Sequence, residues 1–357
     1  MAQIFHSLRD LLNNDFDVVI DVRSPAEFAE DHIPGAINLP VLSDDERALV
    51  GTIYKQESPF KARKIGGAII ARNTASHLEE KLSAMEGDWK PLVYCWRGGQ
   101  RSGFFARFLQ EVGWRSEVIS GGYQSYRRLI HSALYNTPLD AQLLLLDGNT
   151  GTAKTKLLEL LDEMGLQVID LEGLANHRGS LLGSLSGGQP TQKAFESELA
   201  GRLDRFDFSR PIIIEAESSK IGNINIPPRL WERMCGAPRI EIDAPLPARG
   251  QYLVEAYQDI LDAPETMRSK LQPLRQFRGH ETVDHWETLL DADDRLSLVT
   301  SLMELHYDPA YARSRTKHGT EPIARITTNK LDSEALSQTA SRIRDLINKP
   351  ESRLPRS

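Results

Sequence analysis

Short apolar runs alternate along the chain with longer stretches in which apolar residues recur every third or fourth position, and the alternation starts afresh once. Asp17 to Val22, Pro91 to Trp96 and Ser116 to Ile119 read as strands; Arg72 to Met85, Gly103 to Val112 and Tyr123 to Ala133 read as helices. That order predicts a parallel sheet flanked by helices. The pattern changes character near Pro138, after the pair Arg127-Arg128. Gln142 to Asp147 is an almost uninterrupted apolar run, followed by a Gly-rich turn and by Lys154 to Met164, with leucines at helical spacing. Gln167 to Asp170, Pro211 to Glu215 and Arg239 to Asp243 continue this second α/β unit as strands and Gln192 to Arg205 as a helix, before a mostly helical section from Leu246 to about Tyr307. The expected domains are therefore 1–137 and 138–348, with a frayed Pro- and Arg-containing tail at 349–357.

Composition narrows the class. With 40% hydrophobic and 26% charged residues the chain fits a folded globular protein and neither a disordered nor a fibrous one. A formal charge of −7 argues against a surface coated in basic residues and against non-specific nucleic-acid binding. Local basic clusters remain at Lys61-Arg63-Lys64, at Arg268, Lys270, Arg275 and Arg278, and at Arg313-Arg315-Lys317. No apolar window approaches the roughly 18 residues of a membrane helix, and the first residues lack the charged and apolar regions of a signal peptide, so a cytoplasmic location without membrane attachment is expected. Two cysteines, Cys95 and Cys235, cannot build a disulfide framework in a chain of 357 residues. Cys235, in Met234-Cys235-Gly236-Ala237-Pro238, has the surroundings of a structural residue.

Cys95 is different. The strand Pro91 to Tyr94 runs straight into Cys95-Trp96-Arg97-Gly98-Gly99-Gln100-Arg101-Ser102, after which a helix begins. The carboxyl end of a parallel strand is where ligands bind, and the glycines let successive N–H groups turn inward around an anion at the helix N-terminus. Gly98, Gly99, Gln100 and Ser102 would form the oxyanion loop, Arg97 and Arg101 would add positive charge, and Cys95 would be the nucleophile.

Val19-Ile20-Asp21-Val22-Arg23-Ser24-Pro25-Ala26-Glu27-Phe28 and His32-Ile33-Pro34-Gly35-Ala36-Ile37-Asn38-Leu39-Pro40, together with the Cys95 loop, resemble the rhodanese family over about 130 residues. The resemblance implies a cysteine that carries sulfur or selenium, with Asp21, Arg23 and Glu27 holding the scaffold. The five residues between Cys95 and Arg101 make a longer loop than many sulfur-transferring rhodaneses have, and also resemble the Cdc25-type phosphatases. A cradle of that size suits a tetrahedral oxyanion such as phosphate or selenophosphate.

The second chemical segment is Gly148-Asn149-Thr150-Gly151-Thr152-Ala153-Lys154-Thr155, between a strand and a helix, which resembles a Walker A loop. Backbone amides would wrap a phosphate, Lys154 would reach its outer oxygens and Thr155 would ligate Mg²⁺. Ala153 stands where the usual pattern has Gly. Glu215 or Glu217, after the strand Pro211 to Glu215, are candidates to act beside the metal, and His177 and Arg178, in Asn176-His177-Arg178-Gly179-Ser180, are candidates from a polar loop.

A rhodanese unit followed by a Walker A unit, with Ala175-Asn176-His177-Arg178-Gly179-Ser180 in the second and His306-Tyr307-Asp308-Pro309-Ala310-Tyr311 and Ser314 further on, resembles the tRNA 2-selenouridine synthase family over nearly the whole chain. The resemblance implies exchange of the C2 sulfur of a wobble 2-thiouridine in tRNA for selenium from selenophosphate, with geranylation of that sulfur from geranyl diphosphate, and it matches the family's essential cysteine to Cys95, a perselenide carrier. It implies no tightly bound cofactor, Mg²⁺ at the Thr155 hydroxyl, and a selenophosphate-supplying enzyme as partner. The basic clusters become candidates for contact with the tRNA backbone. Two other readings stand beside it: a rhodanese sulfurtransferase coupled to an ATP-dependent kinase-like domain, and a rhodanese-like phosphatase or oxyanion sensor.

Overall fold

The computed structural model describes residues 2–180, 183, 185–318 and 321–348. The expected tail 349–357 and the side chains of Ser314, Arg315 and Lys317 lie outside the described residues. The chain forms two compact units, one of residues 1–137 with 190–205, the other of 138–189 with 206 onward.

The first unit is a five-stranded parallel sheet: β1 (Ala2–Gln3), β2 (Val18–Asp21), β3 (Ile37–Asn38), β4 (Pro91–Tyr94) and β5 (Glu117–Ile119), in the order β1-β5-β4-β2-β3. Every residue of β4 is buried, as a central strand covered on both faces requires. Ile20, Val93, Phe105, Leu109 and Trp114 share its core. Asp21 and Arg23 form a fully buried pair at 2.6 Å, and the Arg23 guanidinium lies 3.9 Å from the centre of the Tyr123 ring. It also donates to the Asp31 carbonyl at 2.6 Å, which fixes the turn before Ile33.

The helix Gln192–Arg205 forms where the spacing of its apolar residues predicts it, but in the first unit and not the second. Phe195 and Leu199 are fully buried, and Arg127 reaches Glu196 at 2.5 Å and Ser197 at 3.2 Å. Tyr135 donates to the other oxygen of Glu196 at 2.8 Å. These polar partners lie about sixty positions apart in the chain, so proximity in sequence assigned the helix to the wrong unit.

The second unit carries a five-stranded parallel sheet in the order β12-β11-β6-β8-β7 and a small antiparallel hairpin. The strands are β6 (Leu143–Gly148), β7 (Gln167–Ile169), β8 (Ile212–Glu215), the hairpin β9 (Lys220–Ile221) and β10 (Ile224–Asn225), β11 (Arg239–Asp243) and β12 (Ala324–Thr327). β6 lies between β11 and β8, with Gly148 level with Ile242 and Leu146 level with Glu215. Helices Lys154–Glu163 and Ser333–Asn348 bury Leu157, Leu161, Ala340 and Ile343 against the sheet. β12 and the helix after it are additions to the sequence reading, which ended its pattern near Tyr307. The helical section has its own core around Trp286, Met267, Leu298 and Met303. Among the described residues no helix is long and apolar enough to cross a membrane.

Candidate functional site

In the first unit β4 delivers Cys95 to the carboxyl edge of the sheet, between β5 and β2. The thiol is buried at 3% exposure. Ser102, in the first turn of helix Gln100–Val112, donates its hydroxyl to Cys95 Sγ at 3.1 Å, a bond that strengthens when sulfur carries negative charge. The loop is closed against the backbone of residues 119–124. Tyr123 N–H donates to the Cys95 carbonyl at 2.8 Å and Gln124 N–H to the Trp96 carbonyl at 3.1 Å. Gly98 stands at φ +62°, and a Cβ there would come within 2.5 Å of the Ile119 carbonyl oxygen; one on Gly122 would lie 2.1 Å from that of Cys95. Glycine at these two positions is therefore a condition for the loop's shape.

The two loop arginines are placed differently. Arg97 is exposed. Arg101 donates from Nη1 to Glu27 Oε2 at 2.9 Å, and the same oxygen receives Arg47 Nε at 2.9 Å. Burial pushes the Glu27 carboxyl up, but the hydrogen bond and charge of Arg101, with the charge of Arg47, hold it below the usual carboxylate range. Glu27 thus fixes one edge of the Arg101 guanidinium at the rim of the cysteine loop.

In the second unit β6 ends at Gly148 and the helix starts at Lys154, with the loop between them wrapped at the carboxyl end of the sheet's central strand. Ala153 adopts φ +58° and ψ +33°, the left-handed conformation for which the usual pattern supplies Gly. Its side chain is buried in the sheet core, so the residue trades backbone strain for packing. Lys154 Nζ turns back to the Gly148 carbonyl at 2.9 Å and lies 5.5 Å from the centre of the Tyr311 ring. Residues Thr150 to Thr155 line a cleft of about 270 Å³ together with Glu172, Arg178, Tyr252, Tyr257 and Tyr311.

The residues predicted from sequence meet this cleft unequally. Arg178 lines it, clamped by both oxygens of Asp259 at 2.9 and 3.2 Å and stacked 4.6 Å from the Tyr257 ring centre. His177 accepts the Gly179 N–H at 3.1 Å, and burial, with the charge of Lys270, holds it below its ordinary pKa. Glu215, at the end of β8, is fully buried and accepts the Glu172 N–H at 2.6 Å; its Oε2 has no hydrogen-bond partner among the described residues. Glu217 is hydrogen-bonded to Glu172, and burial, followed by the Glu217 charge and that bond, pushes the Glu172 carboxyl up to about 9. Gly179, at φ +64°, has no room for a Cβ, which would sit 2.1 Å from Glu172 and 2.6 Å from Glu217. Among the described residues no group of three or more His, Cys, Asp or Glu is placed to hold a metal ion by itself.

Three elements of the cleft escaped sequence reading. Glu172 follows β7 with no motif around it. Arg249 is buried, pairs with both oxygens of Asp308 at 2.9 and 2.8 Å and donates to the Thr150 carbonyl at 3.1 Å, tying the helical section to the phosphate loop. Beside the cleft, and sharing Thr150, Ser180, Leu253 and Tyr257 with it, is an apolar pocket walled by Ile260, Leu261, Met267, Val299, Leu302 and Met303. It is narrow as folded, about 20 Å³.

Among the candidate basic clusters, the one at 268–278 is largely consumed internally: Arg268 pairs with Asp291 at 2.6 Å, Arg275 with Asp284 and Glu287 at 2.6 and 3.0 Å, and Arg278 bonds His306 at 3.2 Å. Acidic residues on the facing helix His280–Asp291 supply the partners of Arg268 and Arg275.

Comparison with known proteins follows the same division. Residues 5–129 match the model of the rhodanese-like domain, and 141–282 match that of the tRNA 2-selenouridine synthase AAA domain. The tRNA 2-selenouridine synthase of Nitrosomonas europaea is 36% identical over 264 residues, 72% of this chain and 68% of that one. That of Psychromonas ingrahamii is 31% identical over 322 residues, 82% and 86%; that of Pseudomonas syringae pv. syringae is 34% identical over 347, 88% and 93%. Among solved structures, the N-terminal domain of a putative ATP/GTP binding protein from Clostridium difficile 630 aligns over 36% of this chain and 98% of that one, at 30% identity and a TM-score of 0.32.

Proposed function

The chain belongs to the tRNA 2-selenouridine synthase family, and on that premise we propose that it replaces the C2 sulfur of a wobble 2-thiouridine in tRNA by selenium, through an S-geranylated intermediate. The observation that carries this reading is that each unit ends the central strand of its own parallel sheet in a glycine-bearing loop that runs into a helix N-terminus, one loop holding a buried thiol and the other bordered by an apolar pocket.

The phosphate loop binds the diphosphate of geranyl diphosphate. Lys154 leaves the Gly148 carbonyl for the diphosphate and neutralises the charge that develops as it departs. The hydrocarbon chain enters the neighbouring pocket, which the unbranched side chains of Met267 and Met303 can open. The thiouridine sulfur attacks the first geranyl carbon, the carbon–oxygen bond to diphosphate breaks, and N3 gives up its proton to solvent. Mg²⁺ would serve as the diphosphate counterion, held by the hydroxyl of Thr155 at the head of the helix and by the buried carboxyl of Glu215. Bound there, the metal would supply charge neutralisation of the leaving group.

Alkylation turns a poor leaving group into a neutral thiol equivalent. The Cys95 loop receives the oxyanion of selenophosphate, with Ser102 and the helix N-terminus stabilising negative charge beside the thiol. The selenium of selenophosphate adds to C2, the geranyl thiol leaves with a proton from solvent, and water cleaves the phosphorus–selenium bond to release phosphate and 2-selenouridine.

The test is mass spectrometry of nucleosides from 2-thiouridine-containing tRNA incubated with the protein, selenophosphate and geranyl diphosphate. Wild type should yield 2-selenouridine. Cys95→Ala should stop at the geranylated nucleoside, and Lys154→Ala should lose geranylation. Full geranylation by Lys154→Ala sinks the assignment of the phosphate loop, and absence of both products from wild type sinks the reading as a whole.

A further inference from the structure

The first unit has a groove of about 890 Å³ between the helices Asp44–Gln56 and Pro59–His77, running to Gln100 and Arg101 at the helix start that follows Cys95. Four cationic side chains line it, Arg47, Lys55, Arg63 and Arg101, and no aspartate or glutamate does. In a chain whose acidic residues outnumber its basic ones by seven, an acid-free groove with four cations is a selective feature. Arg47 and Arg101 are steered from beneath by Glu27, whereas Lys55 and Arg63 make no ion pair or side-chain hydrogen bond among the described residues. Two aromatic rings on its walls face water, Tyr54 at 56% and Phe104 at 40% exposure.

We propose that this groove binds single-stranded RNA, the anticodon-loop nucleotides that flank the base presented to Cys95. Cations without carboxylates select a polyanion. Exposed aromatic rings between them offer stacking faces to unpaired bases, a combination typical of single-strand channels. A duplex has its bases stacked and would leave Tyr54 and Phe104 unused. The groove's end at Arg101, next to Ser102, which bonds the nucleophile, gives the strand a direction: backbone held at Lys55 and Arg63, reacting base toward the cysteine loop. The inference rests on the reading that tRNA is the substrate.

The experiment is a fluorescence-anisotropy titration of a labelled anticodon stem-loop RNA with the full chain, repeated over a range of salt concentrations. Lys55→Glu with Arg63→Glu should weaken binding and lower the slope of log K against log salt by about 1.4, two single-strand phosphate contacts at about 0.7 each. Tyr54→Ala should weaken it about 5- to 100-fold with the slope unchanged. Gly51→Leu narrows the groove at a helical position where a Cβ meets nothing, so the variant stays folded and should also bind less. Arg107→Glu, an exposed reversal on the helix Gln100–Val112 and outside the groove, should keep the wild-type slope. Wild-type binding that survives in the groove variants, or a loss matched by Arg107→Glu, overturns the groove assignment while leaving the tRNA reading intact. A wild type that binds no RNA at any salt overturns both.

Discussion

Replacing Glu172 by Gln should flatten the pH dependence of the second unit's stability. The folded carboxyl titrates near 9 because burial, the charge of Glu217 and the hydrogen bond between the two carboxyls all favour the protonated form, against 4.5 for an ordinary glutamate. Between those values the folded chain holds a proton that the unfolded chain has released. The stability associated with that proton is fully present below about pH 4.5 and is lost as pH rises toward 9, at about 1.4 kcal/mol per pH unit. From pH 6 to pH 8 the loss is about 2–3 kcal/mol. The second unit has about 200 residues, where 1 kcal/mol moves Tm by about 2–4 °C, so its Tm should fall by about 5–10 °C over that window. Glu172→Gln keeps the shape and supplies an uncharged donor to Glu217 without titrating. Scanning calorimetry of wild type and variant at pH 6, 7 and 8, at constant ionic strength, reads the difference directly. The variant should lose about one proton's worth of slope and be the more stable protein at pH 8. If the second-unit transition of the variant falls with pH as steeply as that of wild type, the proton is not held at Glu172 and the carboxylate pair has been misread.

Two substitutions in the loops test their backbone geometry. Gly122→Ala should destabilise the first unit by more than about 2 kcal/mol, because its Cβ would lie 2.1 Å from the Cys95 carbonyl oxygen and the backbone stands at φ +55°; a urea midpoint equal to wild type would show that the loop yields freely. Ala153→Gly should change stability by no more than about 1 kcal/mol: relief of about 1–2 kcal/mol of left-handed strain is offset by about 0.8 kcal/mol of lost methyl burial and by about 0.4–1 kcal/mol of added chain entropy. A urea titration that finds a shift beyond about 2 kcal/mol in either direction contradicts that balance.

The two loops were legible because each is contiguous: a buried strand, a turn with glycines at the tight positions, and a helix whose N-terminus points back at the turn. Everything the loops need is within about ten residues, so periodicity and residue type suffice to place Cys95 at a strand end and Lys154 at a helix start. The cleft around the phosphate loop was legible only in part, because Tyr252, Tyr257 and Tyr311 arrive from a helical section about 100 to 160 positions further on. Arg249 has no motif of its own, and its role depends on Asp308 being presented to it by a different helix. The helix Gln192–Arg205 shows the same limit from the other side: its period gives its existence, while its membership follows from Arg127 and Tyr135 meeting Glu196.

The basic clusters show what decides between a bland and a functional reading. In sequence Arg268 and Arg275 are as suited to phosphate as Arg63, since a sequence reports only where cations are. Their fates differ because of what faces them. The helix His280–Asp291 sets Asp284, Glu287 and Asp291 against the first pair, and each resulting bond satisfies a guanidinium that an incoming phosphate would have to displace. The walls around Lys55 and Arg63 carry no carboxylate, so a phosphate there meets cations that only water has to leave. A chain with net negative charge can thus hold a confined site for a polyanion without a general affinity for one, provided its acids are placed where they neutralise the other basic clusters. That placement is a property of helix packing, and it joins a formal charge of −7, which argues against non-specific nucleic-acid binding, to a confined site on the first unit.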